Sequence, residues 1–125
     1  MQDNTSFLRT ETSEIDGVVV VRLAGELDMC SVPEDEVRAC ITARPRGVVL
    51  DLREVTFFGS NGISLLLGAV QEARAHGVAF AVVADNRPVL RPLEVTDLLV
   101  VVSVFATPES AVASMPRVEC RTGLG

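Results

Sequence analysis

The chain has 125 residues, of which 48% are hydrophobic, and its formal net charge at pH 7 is -6. A chain of this length forms one domain with a genuine hydrophobic core and needs no disulfide or metal site to fold. The acidic balance and the lack of a Lys/Arg run argue against nucleic acid and against an anionic membrane surface, because both partners require basic patches.

Cysteine and histidine usage points to a cytoplasmic protein without a cofactor. The three cysteines, Cys30, Cys40 and Cys120, are odd in number and form no CxxC pair, so we expect free thiols. His76 is the only histidine, which leaves too few ligands for a Cys/His zinc site. The N-terminal residues lack the basic-then-apolar pattern of a signal peptide, and the apolar runs are too short to cross a bilayer.

The first part of the chain predicts a β-hairpin. Val18–Leu23 is rich in β-branched residues and reads as a strand, and Phe7–Thr12 with Ile15 supplies a partner strand. Asp16-Gly17 between them is a typical hairpin turn. Residues 25–28, Gly-Glu-Leu-Asp, are expected to leave the sheet.

A helix and a buried strand follow. The helix is predicted from Val32-Pro33 to about Ala43, because Pro and acidic residues are favourable in a first helical turn. The strand Val48–Leu52 is nearly continuously apolar, as expected for a strand covered on both faces. Phe57-Phe58 follow it, and the polar stretch Gly59–Gly62 then interrupts the apolar pattern.

A second helix is predicted from about Ser60 to His76, where Gly77 provides the usual stop. Leu65 lies off the main apolar face and is predicted to be partly exposed. The apolar face is predicted to comprise Ile63, Leu66, Leu67, Val70 and Ala73. The opposite stripe of small or polar residues comprises Ser64, Gly68, Gln71 and Ala75.

The remaining elements complete an alternating pattern. They are a strand over Val78–Ala84, a turn or cap at Asp85-Asn86, a short helix over Pro88–Leu93, a strand over Leu98–Val104, and a helix from the N-cap Thr107 to about Met115. This alternation predicts a single α/β domain with a mixed, mostly parallel sheet of about five strands and about four helices. We expect an N-terminal segment over residues 1–11 that is a candidate edge strand, a domain over 12–115 and a tail over 116–125.

Ser60 lies at the junction between the buried strand and the second helix. Ser is a favoured N-cap, because its hydroxyl accepts a hydrogen bond from an amide two or three residues further on. The same place suits a phosphate, since unpaired amides and the positive end of the helix dipole meet there.

Three segments of the sequence resemble the STAS domain of bacterial anti-sigma factor antagonists. LAGELDMCSVPE resembles the family's strand followed by G-E-L-D, and VVLDLREVTFFGSNGISLLL resembles its signature D-L-S-x-V-x-F-x-D-S-S-G-x-x-x-L. NRPVLRPLEVTDLLVVVSVFATPESAVAS resembles the closing segment with its Thr-Gly-Leu turn. The resemblance covers residues 12–114 and implies the STAS fold.

The resemblance also implies a function. In that family an anti-sigma factor that is also a Ser/Thr kinase phosphorylates the first Ser of D-S-S-G, and the unphosphorylated form binds the anti-sigma factor and frees a sigma factor. Carried over by position, the phosphoacceptor is Ser60, and a Ser/Thr phosphatase would reverse the modification. Asp28 matches a family position near the partner surface. We predict that the partner-binding residues are Asp28, Gly59, Ser60, Asn61, Ser64 and Leu65, and that the protein is a monomer or weak homodimer.

The sequence departs from the family pattern at three places. The Asp before the acceptor is Gly59, the following Ser is Asn61, and the Gly of the Thr-Gly-Leu turn is Asp97. The loss of the carboxylate at Gly59 leaves a second hypothesis open, a STAS interaction or scaffold module, as in a stress complex or a lipid-transport accessory, that no phosphate switches.

An enzyme or a nucleotide-binding module is the weaker alternative. The residues around Ser60 superficially resemble a nucleophile elbow, but Phe58 replaces the required first Gly. His76 would lie ~24 Å from Ser60 along the same helix, at about 1.5 Å per residue, which is far beyond hydrogen-bond reach. No Walker loop or G-x-G-x-x-G pattern is present.

Overall fold

The computed structural model describes residues 9–27 and 34–115. Among these residues, no helix combines the length and the apolar character that crossing a membrane requires. The described residues form one α/β layer structure with a five-stranded sheet, which confirms the predicted fold class.

The sheet has its strands in the order of the sequence. β1 and β2 are antiparallel, and every other neighbouring pair is parallel. The strands are β1 (Arg9–Ile15), β2 (Val18–Leu27), β3 (Gly47–Phe58), β4 (Ala79–Val83) and β5 (Ser103–Phe105). Because each parallel crossover steps to the adjacent strand in the same direction, right-handed connections place the crossover helices on one face.

Three helices cover that face of the sheet, and a fourth helix covers part of the opposite face. They are α1 (Glu34–Thr42), α2 (Ser60–His76), α3 (Arg87–Val95) and α4 (Pro108–Ala113), with a 3₁₀ turn over Leu98–Val100. The larger core lies between the sheet and the first three helices, and a smaller core lies under α4. Alternation along β3 divides its side chains between them, with Leu50 and Leu52 in the larger core and Val49 in the smaller one.

Three local predictions are confirmed. Asp16 and Gly17 both have positive φ, 51° and 82°, as a type I′ hairpin turn requires, and Ile15 pairs with Val18 across it. Gly77 ends α2 in the left-handed conformation. The Thr107 hydroxyl accepts a hydrogen bond from the Ser110 amide and caps α4.

The expectation that residues 25–28 leave the sheet is wrong as far as Leu27. β2 continues through Gly25 and Glu26 to Leu27, beside the last residues of β3. Two register shifts, each with an extra residue on β3, bend this end of the strand pair, and Gly25 takes a φ of 118° that favours glycine. Asp28 lies outside the described residues.

The predicted strand Leu98–Val104 is mostly wrong. Asp97 adopts φ 61°, a left-handed conformation that Asp tolerates, at the position where the family pattern has Gly. The chain then makes a 3₁₀ turn, and only Ser103–Phe105 pair with β4. Leu98 and Val102 are buried, while Val100 is 84% exposed, so burial at a four-residue spacing outweighs the β propensity of the run.

The predicted apolar face of α2 is rotated from the observed one. Leu65 was expected to be partly exposed but is only 3% exposed, whereas Leu67 was expected in the core but is 39% exposed. The buried residues of the helix are Gly62, Leu65, Leu66, Ala69, Val70 and Ala73. The error arises because α2 packs against α1 as well as the sheet, which covers a wider stripe than a single surface does.

Candidate functional site

The junction of β3 and α2 presents Ser60 at the surface. β3 is the central strand and ends at Phe58, Gly59 is the N-cap, and Ser60 is the first helical residue. The carbonyl of Gly59 accepts the first helical hydrogen bond, from the Ile63 amide over 3.1 Å. Ser60 is therefore not the N-cap that the sequence suggested, and its exposed hydroxyl makes no hydrogen bond within the described ranges.

The start of α2 is electrostatically open to an anion. The first turn contains no acidic residue, so nothing on the helix itself offsets the positive end of its dipole. The amides of Ser60, Asn61 and Gly62 precede the first helical hydrogen bond and have no carbonyl partner within the helix. A phosphoryl group on Ser60 would thus find amide donors and favourable potential at its own position.

Gly59 lies against the ring of Phe57, and its backbone conformation does not require glycine. Its φ of -91° suits any residue, but a Cβ there would lie 2.8 Å from Cε2 of Phe57. The half-exposed ring of Phe57 therefore occupies the place where the side chain of the family's Asp would begin.

Gly62 has a different reason for being small. A Cβ on Gly62 would lie 2.8 Å from Cδ1 and 2.9 Å from Cε1 of Phe58. Phe58 is buried in the larger core, so its ring has no free space to move into. The close packing of Phe58 on the first turn of α2 fixes where Ser60 emerges.

The structure brings together four of the residues predicted to bind a partner. Ser60 and Ser64 are exposed one turn apart on α2, and Gly59 and Asn61 flank Ser60 with partial exposure. Gly68 continues this stripe, with nothing within 4 Å of a Cβ placed on it. The face of α2 that starts at Ser60 is thus open and made of small side chains.

The prediction for Leu65 requires a correction. Its side chain packs in the core beside α1, so it offers almost no surface for direct contact with another protein. Asp28, the sixth predicted partner residue, lies outside the described residues.

Sequence reasoning missed the side of the site formed by α3. Asn86, predicted as a turn or cap, and the arginines Arg87 and Arg91 lie in the segment that resembles the family's closing segment, but only the fold places them beside the end of β3. The Asn86 side-chain Nδ2 donates to the carbonyls of Leu52, over 3.1 Å, and Val55, over 2.7 Å. These two bonds hold the start of α3 against the strand that leads to Ser60.

A charged cluster lies on the opposite face of the sheet. Asp51 is 2% exposed, and Arg53 binds both its carboxylate oxygens, with Nε 3.0 Å from Oδ1 and Nη2 2.9 Å from Oδ2. This hydrogen bonding raises the pKa of the Arg53 guanidinium above its usual range. Arg22 on the neighbouring strand lies 4.0 Å from the same carboxylate and 3.8 Å from that of Glu11, so two positive and two negative groups balance.

No metal site emerges from the part of the chain that the structure describes, where no group of three or more His, Cys, Asp or Glu side chains is suitably placed. The chemistry available at the β3–α2 junction is therefore that of an exposed hydroxyl at a helix start. Such a group can be modified, and it can contact a partner.

Comparison with known proteins agrees with this architecture. The anti-sigma-F factor antagonist RsfB of Mycobacterium tuberculosis is 30% identical over 101 residues, which cover 79% of this chain and 82% of RsfB. An anti-sigma F factor antagonist of Paenibacillus polymyxa is 29% identical over 86% of this chain and 95% of its own length. The crystal structure of an anti-sigma factor antagonist from Mycobacterium paratuberculosis superimposes with a TM-score of 0.83 at 28% identity, covering 91% of this chain and 98% of that one.

The profile of the STAS domain matches residues 9–111, which span the sheet and all four helices up to the second turn of α4. The family match thus includes the β3–α2 junction and the whole of α3. The chain belongs to the STAS domain family.

Proposed function

We propose that this protein is a cytoplasmic anti-sigma factor antagonist that binds an anti-sigma factor with Ser/Thr kinase activity, thereby frees a sigma factor, and is switched off by phosphorylation of Ser60. A Ser/Thr phosphatase restores the binding form. The names of its relatives support antagonism of an anti-sigma factor. The observation that carries the switch is the exposed hydroxyl of Ser60 in the first turn of α2.

The fold tolerates a phosphate at this position. A phosphoserine adds about -1.5 to -2 charges at pH 7, and the amides and dipole at the start of α2 favour that charge. The phosphorylated protein should therefore keep its structure. Binding changes because the new charge and bulk lie on the surface that meets the partner.

The proposed partner surface centres on the open face of α2. It includes Gly59, Ser60, Asn61 and Ser64, and by its place in the sequence pattern Asp28. Leu65 is left out as a contact residue because it is buried. The small side chains of this face allow the backbone of a partner to approach closely.

A STAS interaction module without a phosphate switch is the second candidate. The observation that favours it is Gly59, where a carboxylate of the family pattern is replaced and its space is taken by Phe57. A kinase that reads this carboxylate would not recognise Ser60. In that case the protein still binds its partner but is regulated by other means.

The experiment combines binding and phosphate transfer. The protein is incubated with candidate anti-sigma kinases and ATP, and complex formation and intact mass are measured for the wild type, Ser60→Ala and Ser64→Ala. We expect a mass gain of one phosphate in the wild type and Ser64→Ala and none in Ser60→Ala. Ser64→Ala is the matched control, since it removes an exposed hydroxyl one turn further along α2.

The outcomes separate the candidates. Tight complexes without any mass gain contradict the switch and favour the interaction module. A mass gain that persists in Ser60→Ala shows that the acceptor is another residue. Failure of every candidate anti-sigma factor to bind contradicts the proposed function itself.

A further inference from the structure

An open groove of about 420 Å³ lies between the end of β3 and the first turns of α3. We call it the Phe57 groove, and its walls include Phe57, Phe58, Arg87, Pro88, Arg91 and Pro92. Aromatic and proline surfaces make the walls apolar, and the two arginines add positive charge. It is adjacent to Ser60, because the ring of Phe57 lies against Gly59.

Phe57 is an unusual side chain to leave at the surface. It is 50% exposed, while its neighbour Phe58 points into the core, as alternation along β3 requires. Gly59 has no side chain, and the ring of Phe57 occupies the space where one would begin. Aromatic side chains, Phe among them, are enriched in the cores of protein interfaces.

Two arginines give the groove its positive charge. Arg87 and Arg91 are exposed, lie one turn apart on α3, and form no ion pair within 4.0 Å with any described residue. Asp85 and Glu94 border a depression that also includes these arginines, but neither carboxylate lies within 4.0 Å of either guanidinium group. The described residues that line the groove include these two arginines and no acidic side chain.

We propose that the Phe57 groove binds a segment of the anti-sigma factor that has an apolar side chain flanked by carboxylates. The apolar side chain packs on Phe57 and the prolines of α3, and the carboxylates pair with Arg87 and Arg91. This inference rests on the proposed function, because it names the chemistry by which that partner is recognised. It also gives the switch a mechanism, since a phosphate on Ser60 beside the groove repels the incoming carboxylates.

The choice of an acidic segment follows from charge complementarity. A basic segment would meet two like charges in the groove, which is unfavourable in a partly desolvated site. The family pattern has Phe at the position of Phe57 and Asp at that of Gly59. This chain keeps the ring and lacks the carboxylate, so it contacts its partner there by apolar packing. Phe57 and the two arginines are therefore the contact residues that the groove offers to this partner.

The test measures the affinity of the purified full chain for the anti-sigma factor by titration calorimetry. Phe57→Ser is compared with Val100→Ser, which removes an exposed apolar side chain outside the groove, and Arg91→Ser is compared with Arg74→Ser near the end of α2. We expect a loss of about tenfold or more for Phe57→Ser and of about threefold or more for Arg91→Ser, with the two controls close to wild type. The affinity should fall with added NaCl, and less steeply for Arg87→Ser/Arg91→Ser.

The design separates this inference from the proposed function. If the wild type binds the anti-sigma factor and Ser60→Glu weakens binding, but the groove variants bind like wild type, the groove inference is overturned while the proposed function stands. If the wild type binds no anti-sigma factor, both are overturned. Self-association of the wild type in sedimentation, abolished by Phe57→Ser, assigns the groove to a second copy of this chain and also overturns the inference.

A partner-free measurement keeps the groove variants interpretable. The amide spectra of Phe57→Ser and Arg91→Ser are recorded before titration, and changes confined to the neighbours of the substituted residue establish that the fold is kept. If a variant spectrum changes throughout, Phe57→Leu and Arg91→Gln replace it. Wild-type affinity for Arg91→Glu, which reverses the charge, would contradict the proposed pairing with carboxylates.

Discussion

The side-chain amide of Asn86 donates to the backbone carbonyl of Val55 over 2.7 Å, and so joins the start of α3 to the strand that carries Ser60. The same Nδ2 atom donates to the carbonyl of Leu52, and the side-chain oxygen accepts from the Asp85 amide. One residue thereby satisfies two strand carbonyls that the bulged end of β3 presents to it. This link fixes the distance between the two sides of the Phe57 groove.

Replacing Asn86 with Ala should lower the free energy of unfolding by about 1–3 kcal/mol, since two strand carbonyls lose their donor. Asn86→Asp should lower the free energy of unfolding further, because a carboxylate cannot donate a hydrogen bond and would face the carbonyl oxygens. Urea unfolding followed by circular dichroism measures both, with Gln71→Ala on the exposed side of α2 as the control. An Asn86→Asp protein as stable as wild type would show that the two bonds contribute nothing.

Two glycines of α2 should respond in opposite directions to the same substitution. Gly62→Ala places a Cβ against the buried ring of Phe58 and should destabilise the protein by about 1–3 kcal/mol. Gly68→Ala meets nothing within 4 Å and should stabilise it by up to about 1 kcal/mol through helix propensity. The same urea-unfolding measurement tests both substitutions. Equal effects at both positions would contradict the packing of Phe58 on the helix start.

The two arginines near Asp51 should contribute very unequally to the stability of the protein. Arg53→Met leaves the buried carboxylate of Asp51 without its two closest donors and should cost about 2–4 kcal/mol. Arg22→Met removes an exposed group 4.0 Å from that carboxylate and should cost at most about 1 kcal/mol. Thermal unfolding of the two variants at one pH tests this order, and a reversed order would mean that Arg22 is the main partner of Asp51.

Cys40 should react slowly with alkylating reagents at neutral pH. Burial, and then the negative charge of Glu36, raise the pKa of its thiol, so the reactive thiolate is scarce until the pH rises well above neutrality. In a Cys30→Ser/Cys120→Ser background, iodoacetamide should modify the native protein more slowly than the urea-unfolded one at the same pH. The rate should rise with pH, and Glu36→Gln should increase it modestly; equal native and unfolded rates would contradict a shielded thiol.

Local signals in the sequence predicted the structure correctly wherever one residue type determines the backbone conformation. Asp16-Gly17 predicts its hairpin, Gly77 its helix end and Thr107 its helix cap, because turn and cap geometry depend on neighbours in the chain. The alternating order of strands and helices likewise predicts the parallel sheet. The position of Ser60 at the start of α2 follows from the same kind of signal.

The tertiary structure decided which side chains meet. The burial of Leu65 depends on α1, which no periodicity in α2 reveals, and the conversion of Leu98–Val100 to a 3₁₀ turn depends on which of its side chains reach the core. The contact of Phe57 with Gly59 and the approach of α3 to the end of β3 join residues through packing. The sequence by itself thus determined the order of elements and the place of Ser60, whereas the surface around Ser60 is set by long-range contacts that only the folded chain makes.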